Sequence, residues 1–142
     1  MKVSFTVPGI PVAKGRPKFS RQGDFVKTYT PEKTANYETL VRFLYCEKAK
    51  SERFPADMQL KITVKAYLPI PKSASKKKQA DMASGVIRPI KRPDTDNIVK
   101  AVLDGLNTVA FHDDSQVVEI VAGKWYSTEP RTEIMIEDRW LI

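Results

Sequence analysis

The chain has 142 residues, 42% of them hydrophobic, and a formal net charge of +7 from 24 Lys and Arg against 17 Asp and Glu. That length supports one domain, residues 1–142, with an ordinary core. No run reaches the apolar length of a membrane span, the N-terminus lacks a signal-peptide core, and a lone Cys46 with a lone His112 excludes an internal disulfide and zinc sites built from several Cys and His. An intracellular, cytoplasmic protein is expected, with no membrane partner, and any metal in it is held by oxygen.

In chain order, Val3, Phe5 and Val7 alternate with polar residues and predict a half-buried strand that ends at Pro8-Gly9. The Gly-, Pro- and Lys/Arg-containing stretch to Tyr29 has no sustained period and reads as an exposed loop. Thr30-Pro31 marks a helix start, with Thr30 as N-cap and Pro31 at the first helical position. An apolar stripe of Tyr37, Leu40, Val41, Leu44 and Tyr45 carries that helix to about Glu52, with Cys46 as a small residue inside it. Leu60, Ile62, Val64, Ala66 and Leu68 alternate with polar neighbours as the clearest strand, which Pro69 and Pro71 stop. The segment SASKKKQADMASG has the composition of a short helix capped by Ser73 or Ser75.

Ile98, Val99, Val102, Leu103, Leu106 and Ala110 recur at helical spacing. Val118 to Tyr126 and Thr132 to Glu137 then read as two strands joined by a turn near residues 128–131. The order predicts an α+β domain with a mixed sheet of about four strands and helices packed against it.

The charge is local. Windows 14–27 (Lys14, Arg16, Lys18, Arg21, Lys27) and 69–93 (Lys72, Lys76, Lys77, Lys78, Arg88, Lys91, Arg92) hold an excess of positive charge, and the remainder is slightly acidic. Two basic surfaces on a near-neutral body point to a gripped polyanion rather than to solvated loops alone.

From Lys91 to Lys124 the chain concentrates five Asp, three Lys and one Arg. Asp94 and Asp96 are two apart, and Lys100 stands one helical turn beyond Asp96 on the same face. Asp113 and Asp114 follow the helix, where the chain has room to turn back and bring a carboxylate toward the first pair. Phosphodiester cleavage builds negative charge on oxygens around phosphorus, and Mg²⁺ is a hard cation that carboxylates hold while it neutralises that charge. Asp94, Asp96 and Asp114 are the expected Mg²⁺ ligands, with Mn²⁺ able to substitute, and Lys100 orients water or stabilises the phosphate. Helix capping accounts for one Asp before a helix but not for all of them.

The ordered motifs P-D-x-D-N-x-x-K, D-G-L-N, D-D-x-Q-V-V and K-x-Y, from Pro93 to Tyr126, together with PGIPVAKGRPKF and YTPEKT, resemble the RusA family of Holliday junction resolvases in its prophage-encoded branch. The resemblance implies a RusA-like fold and a homodimeric, Mg²⁺-dependent endonuclease of a bacterial or phage-infected cell. Its implied substrate is a branched DNA, the four-way junction. By motif, the family's essential aspartates fall on Asp94, Asp96 and Asp114 and its essential lysine on Lys100. Some relatives have a basic residue before the first Asp, where this chain has Pro93; the contact expected there passes to Arg92 or Lys91.

Lys14, Arg16, Lys18, Lys76, Lys77, Lys78, Lys91, Arg92 and Lys124 are the expected DNA contacts, Lys124 being either such a contact or a plain strand charge. Asp113 is either a supporting group behind the metal or a turn residue, and Asp104 is expected to pair with Lys100. His112 reads as a solvated or structural turn residue, and Trp125 and Tyr126 as packing residues. The dimer interface is expected on the final strands or in the Trp140-Leu141-Ile142 tail. The competing readings are a non-catalytic phage DNA-binding protein, which has no use for carboxylates facing phosphate, and a Mg²⁺ nuclease for other branched DNA.

Overall fold

Alternating burial along three strands of one sheet decides the architecture. The computed structural model describes residues 1–15, 18–23, 25–29 and 31–139. In chain order the elements are β1 (Lys2–Pro8), β2 (Lys18–Gln22), β3 (Phe25–Tyr29), α1 (Glu32–Ala49), β4 (Leu60–Pro69), α2 (Lys76–Ala83), α3 (Thr95–Leu106), a 3₁₀ turn (Asp114–Gln116), β5 (Val117–Ser127) and β6 (Arg131–Asp138). The main sheet has the order β1-β6-β4-β5. β4 and β5 pair in parallel, and the other pairs are antiparallel. The parallel pair needs a crossover, which α2 and α3 occupy.

Val3, Phe5 and Val7, then Leu60, Ile62, Val64, Ala66 and Leu68, then Ile134 and Ile136, are buried on one face of the sheet. Against it α1 presents Tyr37, Val41 and Tyr45, and α3 presents Ile98, Val99, Ala101, Val102 and Leu106. Gly105 lets the helices approach closely, since a Cβ there would stand 3.0 Å from the Glu38 carbonyl oxygen and 3.0 Å from Val41 Cβ. This is the α+β domain with a four-stranded mixed sheet that the hydrophobic pattern predicts. No described helix is long and apolar enough to cross a membrane.

Three expectations are corrected. The stretch read as a loop contains the antiparallel hairpin β2–β3, which turns at Gly23 with φ 61°, a conformation glycine adopts without steric cost. α1 begins at Glu32 with Pro31 in the flanking position and ends at Ala49, where Lys50 takes a left-handed conformation, short of Glu52. The Thr30 cap lies outside the described residues. α3 stops at Leu106, and Ala110 is buried in the turn that follows, which a bridge between Asn107 and Phe111 closes.

Strand direction fixes two ends. Pro8 pairs with Arg131, and Tyr67 with both Arg131 and Trp125, at the upper end; Lys2 pairs with Glu137, and Leu60 with Val117, at the lower end. β4 and β5 run upward, and α3 runs back down.

Candidate functional site

The upper end gathers the Asp pair and the second basic window. Asp94 is the extended residue that starts α3; its carbonyl accepts from Ile98 N–H at 3.1 Å, but its carboxylate makes no capping hydrogen bond. Asp96 sits in the first turn and accepts from Asn97 N–H at 3.0 Å. Both are exposed, as is Lys100 one turn on, and none of the three takes part in an ion pair among the described residues. Capping therefore does not use the Asp94 carboxylate. Exposed, uncompensated carboxylates with a cation one turn away have the donor chemistry for a hard divalent ion.

The segment leading to Asp94 is clamped to β5. Lys124 Nζ donates to the carbonyls of Lys91 at 2.9 Å and Pro93 at 3.0 Å. Arg88 Nε donates to the Lys124 carbonyl at 2.7 Å. The Arg88 guanidinium lies 4.2 Å from the centre of the Trp125 ring. Trp125 in turn stacks on Tyr67, with 5.7 Å between ring centroids, and the Arg131 guanidinium covers Tyr67 at 3.9 Å. Gly123 leaves room for this stack, because a Cβ there would lie 2.7 Å from Arg88 Nη2 and 2.8 Å from Trp125. Lys124 thus faces inward as a positioning group, and Arg88 and Gly123 belong to the same clamp. Sequence reasoning missed both; an Arg in a basic run and a Gly in a strand carry no local sign of each other.

Lys14, expected as a phosphate contact, is ion-paired within the chain. Its Nζ pairs with Glu38 at 3.0 Å and Asp104 at 2.9 Å, and its side chain is 17% exposed. Burial alone would depress its pKa, but the hydrogen bonds from Lys14 to Asp104 and Glu38 hold it above the ordinary lysine value. Asp104 therefore pairs with Lys14, not with Lys100. Arg16 lies outside the described residues, as does the side chain of Lys18. Beside Lys14 an open cleft of about 840 Å³ is lined by Val12, Gly15, Arg92, Asp94 and Asn97. Arg92 in that lining is exposed, as is Lys91 before it in the chain.

α2 supplies three more cations. Ser75 caps it by accepting from Lys78 N–H at 3.3 Å, and Lys76, Lys77 and Lys78 fill its first turn, all exposed. Positive charge at the positive end of a helix dipole is locally unfavourable. An anion bound there reverses that penalty, which fits a surface for phosphates.

Asp114 stands elsewhere. It opens the 3₁₀ turn just before β5, at the lower end, where Gln116 Nε2 ties the turn to the Pro55 and Met58 carbonyls at 2.8 and 3.2 Å. α3, with 12 residues, spans about 18 Å, and it separates Asp114 from Asp94 and Asp96. The expected return of the chain to the first pair does not occur within one chain. Among the described residues no three of His, Cys, Asp and Glu come together as a metal-ligand set. Asp113 caps the turn by accepting from Ser115 N–H at 3.2 Å, and hydrogen bonding to Ser115 holds its carboxyl below the usual range. His112 is exposed and donates its backbone N–H to Gln116 Oε1 at 2.8 Å. Both therefore serve the turn in this structure.

Fold and site describe a small basic α+β domain that presents carboxylates and cations together at one end of a sheet. The Endodeoxyribonuclease RusA family matches residues 8–137. The chain is also 39% identical over 138 residues, 96% of its own length and 96% of the relative's, to a Bacillus subtilis (strain 168) protein described as "Uncharacterized protein YqaN". The chain belongs to the RusA endodeoxyribonuclease family, a family of nucleases that act on branched DNA junctions.

Proposed function

We propose that this protein is a divalent-metal-dependent endonuclease that resolves four-way DNA junctions by paired cuts in two equivalent strands, working as a homodimer in DNA recombination and repair. The observation that carries this reading is the gathering of Asp94, Asp96, Lys100, Lys91, Arg92 and the α2 lysines at one end of the sheet, in a chain of this family. Because Asp114 lies at the other end, two chains complete the acidic set between them, Asp94 and Asp96 from one and Asp114 from a second copy. When bound, Mg²⁺ or Mn²⁺ supplies Lewis acidity and a more acidic attacking water. Lys100 places a compact ammonium where negative charge grows on the phosphate, and Lys124 holds the 91–93 backbone so that Asp94 and Asp96 keep their aim. Lys76, Lys77, Lys78, Lys91 and Arg92 grip phosphates of the arms.

A twofold dimer matches the paired strands of a junction and offers one site to each. Synthetic four-way junction, flap, fork and linear duplex, cut in competition across a Mg²⁺ titration, test the proposal. Symmetric nicks in the junction with Mg²⁺ or Mn²⁺ but not with Ca²⁺ are expected. Equal cutting of linear duplex overturns the resolvase assignment, and preference for flap or fork moves the substrate to another branched DNA.

A further inference from the structure

Ile90 lies on the segment that joins α2 to α3. It is 100% exposed, against 75% for Val86 on the same segment, 61% for Phe43 and 59% for Ile10. Single apolar residues on a surface are ordinary, but this one is held out by its neighbours on both sides. Pro89 before it is buried, and Arg88 is fixed by its bond to the Lys124 carbonyl at 2.7 Å and by the Trp125 ring. After it, the carbonyls of Lys91 and Pro93 accept from Lys124 Nζ. A side chain presented from a backbone already fixed in this way loses little further freedom when it is covered. Lys91 and Arg92, both exposed, follow it directly, and Asp94 is four residues on, at most about 14 Å along the chain.

We propose that Ile90 packs against the face of a base pair exposed at the branch point of the DNA, and that this contact makes the cationic grip selective for branched over continuous duplex. The occupant follows from what surrounds Ile90. An apolar group beside exposed cations suits a polyanion that carries apolar surface next to its phosphates, and the flat faces of nucleobases are that surface. In continuous duplex every base pair is covered on both faces by its neighbours, so an isoleucine enters only by forcing a step apart, which is costly. At a branch point the run of stacked pairs can break where the strands exchange, and a face opens at far lower cost. Lysines and arginines that hold phosphates cannot make this distinction, since every arm offers phosphates. The contact rests on the junction reading above and names the residue that recognises the branch.

The test reads binding in Ca²⁺, so that it does not depend on cutting. A four-way junction carries 2-aminopurine at the branch point, a linear duplex closed by hairpin loops carries it at mid-length, and both are titrated with the whole chain. The unmodified protein should raise the fluorescence of the junction and leave that of the duplex flat. Ile90→Ser should abolish the rise and lower junction affinity by roughly tenfold or more, the worth of burying one isoleucine side chain, with duplex affinity unchanged. Ile90→Leu should restore both readings, and Val86→Ser should leave both at the unmodified level. Absence of the rise with the unmodified protein, a rise kept in Ile90→Ser, or an equal loss of affinity on closed duplex overturns the proposal. So does a change in the sedimentation of Ile90→Ser with its junction-to-duplex ratio kept, which places Ile90 against another protein chain. Failure of the nuclease reading is distinguishable, because a chain that gives the signal but cuts no DNA in Mg²⁺ keeps the contact and loses only the activity.

Discussion

Lys124 and Lys100 are both lysines near the Asp pair, yet their environments assign them different work. Lys100 is exposed on the α3 face that bears Asp96, while Lys124 spends its ammonium on two carbonyls. Lys100→Ala should lower single-turnover cutting by roughly a hundredfold with little change in junction affinity, because a donor to the developing charge is removed. Lys124→Met keeps the apolar stem and removes both hydrogen bonds; turnover should fall by roughly ten- to a hundredfold through misplacement of Asp94. Binding in Ca²⁺ beside single-turnover rates in Mg²⁺ separates these effects, and an unchanged rate for Lys124→Met would remove the positioning role. Lys14 shows the converse. Its place in a basic window reads as a DNA contact, because the partners Glu38 and Asp104 are distant in sequence and nothing local announces them. Lys14→Ala should leave the salt dependence of junction binding unchanged and cost about 1–2 kcal/mol of stability by denaturant titration. Since its folded pKa is raised, that contribution is fully present below the ordinary lysine value of 10.5 and is lost as pH rises through the folded value.

Among the elements, those with one buried face were legible and those defined by tertiary partners were not. β4 and β6 follow from period-two alternation, and α3 from its apolar stripe, because each has a wet side and a dry side. The β2–β3 hairpin was hidden by the basic and Gly-rich composition around it, and the end of α3 by Ala110, whose burial comes from the following turn rather than from the helix. The distance from Asp114 to Asp94 was hidden for a related reason: sequence spacing sets how far a chain can reach, not the direction in which it returns. At the α1–α3 crossing the close approach itself makes a prediction. Gly105→Ala gains helix propensity of about 1 kcal/mol but pushes a methyl against the Glu38 carbonyl and Val41, an overpacking cost of about 1–3 kcal/mol. The net expectation is a destabilisation of about 1 kcal/mol, read from the denaturation midpoint; a stabilised variant would mean that the helices separate freely.

For the whole molecule, the proposed division of the acidic set between two chains makes mutants complementary. Asp94→Asn and Asp114→Asn should each be inactive as homodimers. Refolded together, they should yield heterodimers with one intact site and one dead site, seen as nicking of one junction strand. No recovery in the mixture would place all three aspartates in one chain's site. The grip proposed for the α2 lysines belongs to the same scale and does not touch chemistry. Replacing Lys76, Lys77 and Lys78 together by Ala should flatten the slope of log affinity against log salt by about 0.9 for each phosphate that the protein ceases to neutralise, with the metal requirement unchanged. An unaltered slope would reassign them to plain surface.

The sheet order β1-β6-β4-β5 also has a consequence in time. β1 and β4 are synthesised early, yet they have no hydrogen bonds to each other, and β6 alone joins them. Pairings this distant along the chain form only after large loops have closed, which slows folding. A nascent chain on the ribosome therefore carries both basic windows before it can close its sheet. The polycationic segments are exposed first, and the sheet that fixes their relative positions closes only when the strand that splits it has emerged.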